Sequence, residues 1–349
     1  MNRIAVWSQA GLLCGIVLAW CGVAQAQQRL TVATYGGNWG DAQKACILDP
    51  FAKASGIQVI QETSVSTVTL NKLKQQKGNP AIDIAWIDGG ISELALAEGV
   101  TAAIEPSKVP NVAGLIPEAV YKRTDDKIYA LSTGFYALGI AYNTKDVKQA
   151  PASWFDLWNP ELAGKLTLPS PVNAAGIPFF AHMIQLTGGS LQNPAPAIAK
   201  LKQLKVSNFY DASGVAQAAL ESGEAIAAVY YNTAAWAIAD KGIPIAFIVP
   251  KEGAPANDIR VHIAEGTKNL EAALRFVDYA IGQEAMNCLA EKLYVGPPTK
   301  KTELSDKAKQ RMPWGVSGSV KNLVIPNWNE INANRQPLTE VWNRQIATR

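Results

Sequence analysis

Short apolar segments alternate with longer amphipathic segments along most of this chain, and this alternation constrains the fold more than any other feature. In the first third, strands are predicted at 30–35, 57–63 and 82–87, and helices at 41–55, 66–77 and 91–98. A β-α-β-α-β-α order produces a largely parallel sheet with helices on its faces. The sequence therefore predicts an α/β fold, with glycine turns at the carboxyl ends of strands, where such sheets bind ligands.

A second series of the same kind follows residue 128. Its predicted strands are 129–131, 135–142, 165–168, 225–231 and 245–249, and its predicted helices are 152–158, 178–187, 195–205, 213–222, 270–282 and 284–292. The chain of 349 residues is long for one domain, so two α/β lobes are predicted. Since no flexible linker separates the two series, we expect short hinge segments near 131–134 and 259–263.

Residues 1–26 have the pattern of a cleavable signal peptide. Arg3 precedes an uncharged, mostly apolar run over 10–23, and Ala24-Gln25-Ala26 supplies the small residues of a cleavage site. The run is shorter than the ~20 residues that span a bilayer. A lipoprotein leader ending at Cys21 is the alternative, but the preceding Trp20 is bulkier than the small residue that lipidation requires. The mature protein is therefore expected to be exported.

Two cysteines, Cys46 and Cys288, remain after the predicted cleavage. Export places them in an oxidising compartment, where a disulfide is expected, and two buried reduced thiols are the alternative. A bond between them would close a loop of more than 200 residues, which stabilises by up to about 5 kcal/mol in the loop-entropy account.

Composition argues against nucleic-acid binding and against common enzyme classes. The net charge is only +3, charged residues make up 17% of the chain, and lysines and arginines are dispersed. The only histidines are His182 and His262, and the motifs of serine hydrolases, zinc proteases and phosphate-binding loops are missing. We therefore predict no catalytic residue, no metal site and no cofactor.

Aromatic and short polar residues recur at the predicted strand ends. Flat rings supply contact area, and amides, hydroxyls and carboxylates fix a ligand's orientation, so this group predicts a binding cleft. The candidate ligand-binding residues are Tyr35, Asn38, Trp39, Asp88 with the adjacent Gly89, Phe135, Tyr136, Ser170, Asn173, Tyr231 and Asn232. Core packing is the alternative for each aromatic residue taken singly.

Several stretches resemble one family in order along the chain. They include 34–39, 82–88, Ser153-Trp154-Phe155-Asp156-Leu157-Trp158, 229–232 and Gly296-Pro297-Pro298. The chain is similar to extracellular solute-binding proteins of ABC importers, closest to the spermidine/putrescine-binding family with the type II periplasmic binding fold. The resemblance implies a monomer that closes two lobes around a small ligand, delivers it to a membrane permease and catalyses no reaction.

The resemblance also implies how the chain divides. Lobe 1 is expected over 27–133 and 261–320, lobe 2 over 134–260, and a C-terminal helical segment over 321–349. Each lobe is expected to be a mostly parallel sheet flanked by helices, with hinge crossovers between the lobes. A periplasmic location follows from the signal peptide together with the family.

The ligand predicted from this resemblance is polyamine-like, or another small amine or carboxylate. Family members bracket ammonium groups with aromatic rings and carboxylates. Trp39 matches the family's first aromatic residue, and Tyr231 with Asn232 matches a later one. The acidic pair expected after residue 168 is replaced by Ser170 and Asn173.

The family's last ligand segment is altered as well. Asn257 takes the place of an aromatic residue, Ile259 that of an aspartate, and Asp258 lies one residue away. Asn257 and Asp258 are therefore added to the candidate binding residues. Arg260 either meets a ligand carboxylate or phosphonate, or lies exposed in a loop.

Three alternative functions remain open. Tyr230-Tyr231 resembles the phenolate pair of ferric-iron-binding members of the wider superfamily, although strand alternation would send the two side chains to opposite faces. A secreted α/β enzyme is the second alternative, opposed by the shortage of histidines and of carboxylate pairs. A sensory ligand-binding subunit is the third.

Overall fold

The computed structural model describes residues 28–315 and 318–347. The predicted signal peptide, the lipidation alternative at Cys21 and the end of the C-terminal segment lie outside these ranges. Across the two described ranges, no helix combines the length and the apolar character needed to cross a membrane.

Eleven strands and twelve α-helices make up the described part of the fold. The strands are β1 Arg29–Thr34, β2 Gln58–Thr63, β3 Ile84–Asp88, β4 Val120–Lys122, β5 Ile128–Asn143, β6 Leu166–Pro169, β7 Asn208–Tyr210, β8 Ala227–Tyr231, β9 Ile245–Ile248, β10 Ala254–Ile263 and β11 Leu323–Val324. The helices are α1 Gly37–Gln43, α2 Asp49–Ser55, α3 Ser66–Gln75, α4 Ile91–Ala97, α5 Gly176–Leu186, α6 Ala195–Leu201, α7 Ser213–Ser222, α8 Asn232–Asp240, α9 Leu270–Ala280, α10 Gln283–Leu293, α11 Asp306–Gln310 and α12 Trp328–Gln345.

Two groups of parallel strands confirm the predicted α/β class. In lobe 1, β1 pairs in parallel with β2 and β3, and in lobe 2, β6 pairs in parallel with β7 and β8. The strand order is β2-β1-β3-β10-β5-β8-β6-β7, so the antiparallel pair β5 and β10 lies between the two groups. The fold is therefore two α/β lobes joined by two long strands.

The strand β5 runs without interruption through both lobes, so the prediction of two strands at 129–131 and 135–142 is wrong. Its first part pairs with β10, with Gly134 opposite Ile259, and its second part pairs with β8, with Leu138 opposite Tyr231. The small residues Ser132, Thr133 and Gly134 stay in strand geometry because β10 pairs alongside them. The register of β10 against β5 shifts between Ile259 and Arg260.

The first helical segment begins earlier than predicted. Helix α1 starts at Gly37, and a π-helical segment over Lys44–Leu48 connects it without a break to α2, which is followed by a left-handed C-cap at Gly56. Asn38 and Trp39 therefore lie in the first turn of a helix, not in a glycine turn. In this turn the ring of Trp39 lies 6.1 Å from the ring of Tyr35, which directly follows β1.

Each lobe has its own aromatic core. In lobe 1, Phe276 packs edge-on against Phe51 and Trp86, with ring centroids 5.0 and 5.8 Å apart. In lobe 2, Trp342 of α12 packs against Phe180 and Phe209 at 5.3 and 5.6 Å. Because α12 supplies a fully buried tryptophan to the core of lobe 2, the C-terminal helix is part of that lobe's packing.

The predicted disulfide is confirmed. Cys46, in the π-helical segment, is bonded to Cys288 of α10, with 5.7 Å between the two Cα atoms. The bond therefore fixes the first helical segment of the chain to a late helix of lobe 1.

Candidate ligand-binding site

The candidate site lies where the carboxyl ends of the parallel strands meet. Tyr35 directly follows β1, Asp88 ends β3, Ser170 directly follows β6 and Tyr231 ends β8. In open α/β sheets, ligands bind outside these strand ends, which is where the sequence placed the candidate residues.

A cavity of about 170 Å³ opens at this place, and we call it the inner cavity. Lobe 1 and lobe 2 both contribute walls. The residues that line it are Tyr35, Trp39, Asp88, Tyr136, Ala174, Ser213, Tyr231, Thr233 and Ile259. Its size suits a small metabolite, since it is below the range of about 300–1,000 Å³ that is typical of larger ligands.

Asp88 is the charged group of the inner cavity. Ser66 Oγ donates to Asp88 Oδ2 at 2.6 Å, and the hydroxyl of Tyr136 donates to Asp88 Oδ1 at 2.8 Å. The backbone N–H of Asp88 donates in turn to Ser66 Oγ at 3.0 Å. Asp88 forms no ion pair with any residue that the structure describes, so its carboxylate is fixed in place but not neutralised.

Burial raises the pKa of Asp88, although hydrogen bonds from Ser66, Tyr136 and Tyr35 oppose this effect. The repulsion from Asp258 adds to the rise. A carboxylate with a raised pKa gains more from a cationic partner than an exposed carboxylate does, because ionisation in this place is costly.

Four aromatic rings frame the carboxylate. The ring of Tyr136 packs edge-on against Trp39 at 5.8 Å and against Tyr231 at 5.0 Å, and Tyr35 lies 6.1 Å from Trp39. Burial, and then the neighbouring Asp88, raise the pKa of the phenols of Tyr35, Tyr136 and Tyr231, so all three are neutral. A cation is attracted both to the faces of neutral aromatic rings and to the negative charge of the carboxylate that they surround.

A larger groove continues from the inner cavity, and we call it the outer groove. It has a volume of about 660 Å³ and shares Trp39, Ser213, Tyr231 and Thr233 with the inner cavity. Asn38, a predicted site residue, is exposed and lines the outer groove. The remaining polar lining includes Gln217, Asp240, Lys241 and Lys292.

Ser170 and Asn173 lie beside the cavity and organise a loop of lobe 2. Ser170 Oγ donates to a carboxylate oxygen of Asp211, and Asn173 Nδ2 donates to the backbone oxygen of Asp211 at 3.1 Å. Asn173 Nδ2 also reaches Ser213 Oγ at 3.4 Å, and Ser213 lines the inner cavity. Both predicted residues therefore act on the loop that follows β7, and neither lines the cavity.

Phe135 and Asn232 are placed outside the inner cavity. Phe135 is buried in the hydrophobic core that also contains β1 and β3, and its backbone pairs with Gly296. Asn232 is fully buried, accepts the N–H of Ala137 and donates to the backbone oxygen of Tyr294 at 2.8 Å. Asn232 thus ties α8 to the crossing strand β5 and to the end of α10.

Gly89 and Asn257 hold the turn after Asp88 against β10. Gly89 N–H donates to the backbone oxygen of Asp258 at 3.1 Å, and Asn257 Nδ2 donates to the backbone oxygen of Gly89 at 3.2 Å. A Cβ atom on Gly89 would lie 2.4 Å from Asn257 Oδ1, so only glycine fits this turn. These two residues therefore shape the cavity from behind, without lining it.

Arg260 is not an exposed loop residue, so that expectation is wrong, and it lines neither the inner cavity nor the outer groove. It lies within β10, is fully buried, and pairs with Asp258 at 2.9 Å and Glu93 at 2.6 Å. Its guanidinium carbon also lies 3.5 Å from the ring centroid of Tyr121. Arg260 therefore takes one oxygen, Oδ1, of the Asp258 carboxylate, while the neighbouring Ile259 lines the inner cavity.

Tyr230 and Tyr231 lie on opposite faces of β8, as strand alternation predicts. The hydroxyl of Tyr230 donates to the backbone oxygen of Ser213 at 2.8 Å, and its ring packs against Tyr210. Tyr231 packs against Tyr136 instead. The two side chains thus have different partners, although both residues line the outer groove.

Sequence reasoning missed five residues that line or complete the site: Ser66, Ala174, Ser213, Thr233 and Ile259. Ser66 starts α3, Ser213 starts α7 and Thr233 lies in the first turn of α8. Because each of these three residues lies at the start of a helix beside a strand end, the sequence could have indicated them as site residues. Asp211 was missed because β7, the strand before it, has only three residues.

A small cavity with one carboxylate and a largely aromatic lining, placed between two α/β lobes that are joined by crossing strands, is typical of binding proteins of the type II periplasmic class. The chain belongs to the bacterial extracellular solute-binding proteins, because that family's model matches residues 47–313. It is a solute-binding protein of an ABC importer for a small polar ligand. Binding proteins of such importers deliver their ligand to a membrane permease.

Three known proteins place the chain within this family. It is 28% identical over 303 residues to the spermidine/putrescine-binding periplasmic protein of Escherichia coli, covering 84% of each chain. It is 25% identical over 296 residues to the gamma-aminobutyric acid-binding protein of Pseudomonas aeruginosa, covering 82% of this chain and 81% of the relative. The crystal structure of an ABC transporter from Clostridium perfringens superposes with a TM-score of 0.75 at 25% identity, covering 91% and 99%.

Proposed function

We propose that this protein is exported to the periplasm, binds a small molecule with a primary ammonium group in the inner cavity, and presents it to the permease. The ammonium group lies against Asp88 and within the frame of Trp39, Tyr136 and Tyr231. The protein binds its ligand and catalyses no reaction. It acts as a monomer, since a single chain supplies every wall of the cavity.

The observation that carries this proposal is that the carboxylate of Asp88 lacks a cationic partner in the described part of the chain. Its carboxylate is held by Ser66 and Tyr136 but has no cationic partner among the described residues. A desolvated ammonium ion needs a paired charge, and aromatic faces add about 0.5–2 kcal/mol. A ligand ammonium group supplies the charge that the site lacks.

The two relatives named above support the same ligand chemistry. One is named for spermidine and putrescine and the other for gamma-aminobutyric acid. These three compounds share a terminal primary amine on a short unbranched carbon chain. The feature common to the relatives' ligands is thus the group that Asp88 and its aromatic frame favour.

Lobe closure follows from the distribution of contacts. Asp88 and Trp39 belong to lobe 1, whereas Ser213, Tyr231 and Thr233 belong to lobe 2. A ligand gains both sets of contacts only when the lobes are close, so binding shifts the population toward the closed state. We propose 27–133 with 261–320 as lobe 1, 134–260 as lobe 2, and hinges where β5 and β10 pass between them. Residues 321–349 are a C-terminal segment whose helix α12 packs on lobe 2.

A thermal-shift screen of the mature protein tests this function. Putrescine, spermidine and 4-aminobutyrate are compared with butyrate and 1,4-butanediol, which lack the amine. An amine present at 100 times its Kd adds about 2.7 kcal/mol to the free energy of unfolding. We expect stabilisation by at least one amine and none by the amine-free compounds. Equal stabilisation by butyrate, or none by any amine, contradicts the proposal.

The ligand leaves the protein chemically unchanged. His262 is fully buried and bonded to Ser92, and His182 is buried in the core of lobe 2, so neither histidine is placed to transfer protons in the cavity. Mass spectrometry of ligand recovered after prolonged incubation should show the starting compound alone.

A further inference from the structure

We infer that the ligand is a zwitterion, with the ammonium group on Asp88 in the inner cavity and an anionic group at its other end in the outer groove near Lys292. This inference rests on the proposed function, because it assumes that the amine occupies the inner cavity. It predicts that the ligand is an amine that also bears a carboxylate or phosphonate, and not a di- or triamine.

The carboxylates of the site provide for one ammonium group. Asp88 is the only acidic residue among those that line the inner cavity. Asp240, in the outer groove, receives Lys307 Nζ and Arg311 Nη1, each at 2.7 Å. Although burial raises the pKa of Asp240, hydrogen bonds from Lys307, Tyr294 and Arg311 lower it to about 2. Its charge is therefore already neutralised by the protein.

One of the two lysines that line the outer groove has no ion-pair partner among the described residues. Lys241 pairs with Glu221 at 2.8 Å, but Lys292, at the end of α10, is exposed and forms no ion pair with the described part of the chain. Lys292 and Lys241 both line the outer groove. Since this groove adjoins the inner cavity at Trp39 and Tyr231, a single ligand can meet Asp88 at one end and a positive field at the other.

A second ammonium group would meet like charge in that groove. Like-charge contacts are a common way in which binding sites reject a wrong ligand. Asp211, which Ser170 and Asn173 hold, is exposed and lines neither cavity.

Three compounds with the same ammonium group and the same three methylenes separate the possibilities. 4-Aminobutyrate ends in a carboxylate, butylamine in a methyl group and putrescine in a second aminomethyl group. Isothermal titration calorimetry at low salt should give the tightest binding for 4-aminobutyrate and the weakest for putrescine, with at least about tenfold between them. The ω-amino acids from 3-aminopropionate to 6-aminohexanoate then determine the best length.

Variants at Lys292 test its assignment. Lys292→Gln should weaken the best ω-amino acid by about fivefold, the upper range for an exposed ion pair, and leave butylamine unchanged. Lys292→Glu should weaken the amino acid further and strengthen putrescine. Lys202→Gln, on an exposed lysine of lobe 2 that lines neither cavity, is the matched control and should change no affinity.

Failure of this inference is distinguishable from failure of the proposed function. Putrescine binding as tightly as the amino acids, or a Lys292→Gln effect that is equal for all three compounds, overturns the zwitterion. Loss of putrescine binding in Asp211→Asn would identify Asp211 as a second counter-charge and overturn it too. If no amine in the panel binds, the proposed function itself has failed.

Discussion

The hydroxyl group of Tyr136 donates a hydrogen bond of 2.8 Å to the carboxylate of Asp88. Tyr136 lies on the crossing strand β5 and Asp88 at the end of β3, with β10 between them in the sheet. The same tyrosine ring packs against Trp39 of lobe 1 and Tyr231 of lobe 2. One side chain thus connects the charge of the site with aromatic residues of both lobes, at the place where the lobes are joined.

Asp88→Asn should abolish most of the affinity for amines. The variant keeps the size of the side chain but removes the charge, and a hydrogen bond to a charged group contributes about 1.5–3 kcal/mol, or roughly 10- to 100-fold in Kd. Calorimetric titration measures the loss. Tyr136→Phe should cause a smaller loss, because it removes one hydrogen bond to the carboxylate and keeps the ring. Unchanged affinity in Asp88→Asn would remove the carboxylate from the site.

Amine affinity should fall on acidification. Burial raises the pKa of Asp88 above its usual 3.8, so the carboxyl accepts a proton at a higher pH than a free aspartate does. Only the ionised form pairs with an ammonium group, so affinity is constant above the raised pKa and declines as pH falls through it. The free energy of unfolding of the unliganded protein changes in the opposite direction. Because the pKa of Asp88 is raised in the folded state, this carboxyl contributes stability that is fully present below 3.8 and is lost as pH rises through the raised pKa. Titrations across pH should show the decline, and Asp88→Asn should lack it.

Trp39→Ala should weaken ligand binding without unfolding the protein. Trp39 is half-buried, and its ring contacts Tyr35 and Tyr136 at the mouth of the inner cavity. Loss of a cation–π contact of about 0.5–2 kcal/mol corresponds to roughly 2- to 30-fold in Kd. Circular dichroism of the unliganded variant should show a native spectrum, and Trp39→Phe should retain part of the affinity. Native affinity in Trp39→Ala would exclude its ring from the binding site.

Removal of the disulfide should lower stability and spare binding. The bond between Cys46 and Cys288 closes a loop with a sequence separation of 242, for which the loop-entropy account gives about 5 kcal/mol. Cys46→Ser with Cys288→Ser should shift guanidinium unfolding to lower concentration, with unchanged ligand Kd because neither residue lines the cavity. The denatured, unreduced mature protein should show no reactive thiol, and two reactive thiols would contradict the bond.

The sequence predicted the parts of the fold that local pattern determines. The parallel strands β1 and β3 are largely apolar runs between turns, and their carboxyl ends correctly located Tyr35 and Asp88. The crossing strand β10 was not recognised, because its buried face carries Asp258, Arg260 and His262. These polar side chains are buried only because Glu93, Ser92 and Tyr121, distant in sequence, provide their partners.

The candidate site was predictable to a similar extent. Aromatic residues at strand ends identified Trp39, Tyr136 and Tyr231, which the structure brings together around Asp88. Sequence could not separate Phe135 from Tyr136, although strand alternation places the first in the core and the second at the cavity. The role of Ser170 was likewise hidden, because it depends on a contact with Asp211 across two neighbouring strands.

The most direct test of the central claim is a crystal structure of the protein with the tightest-binding amine from the calorimetric panel. We predict the ligand's ammonium nitrogen within about 3 Å of an Asp88 carboxylate oxygen, as hydrogen-bonded charged groups require, with the rings of Trp39, Tyr136 and Tyr231 around it. A ligand bound outside the inner cavity, or with its ammonium group away from Asp88, would contradict this account.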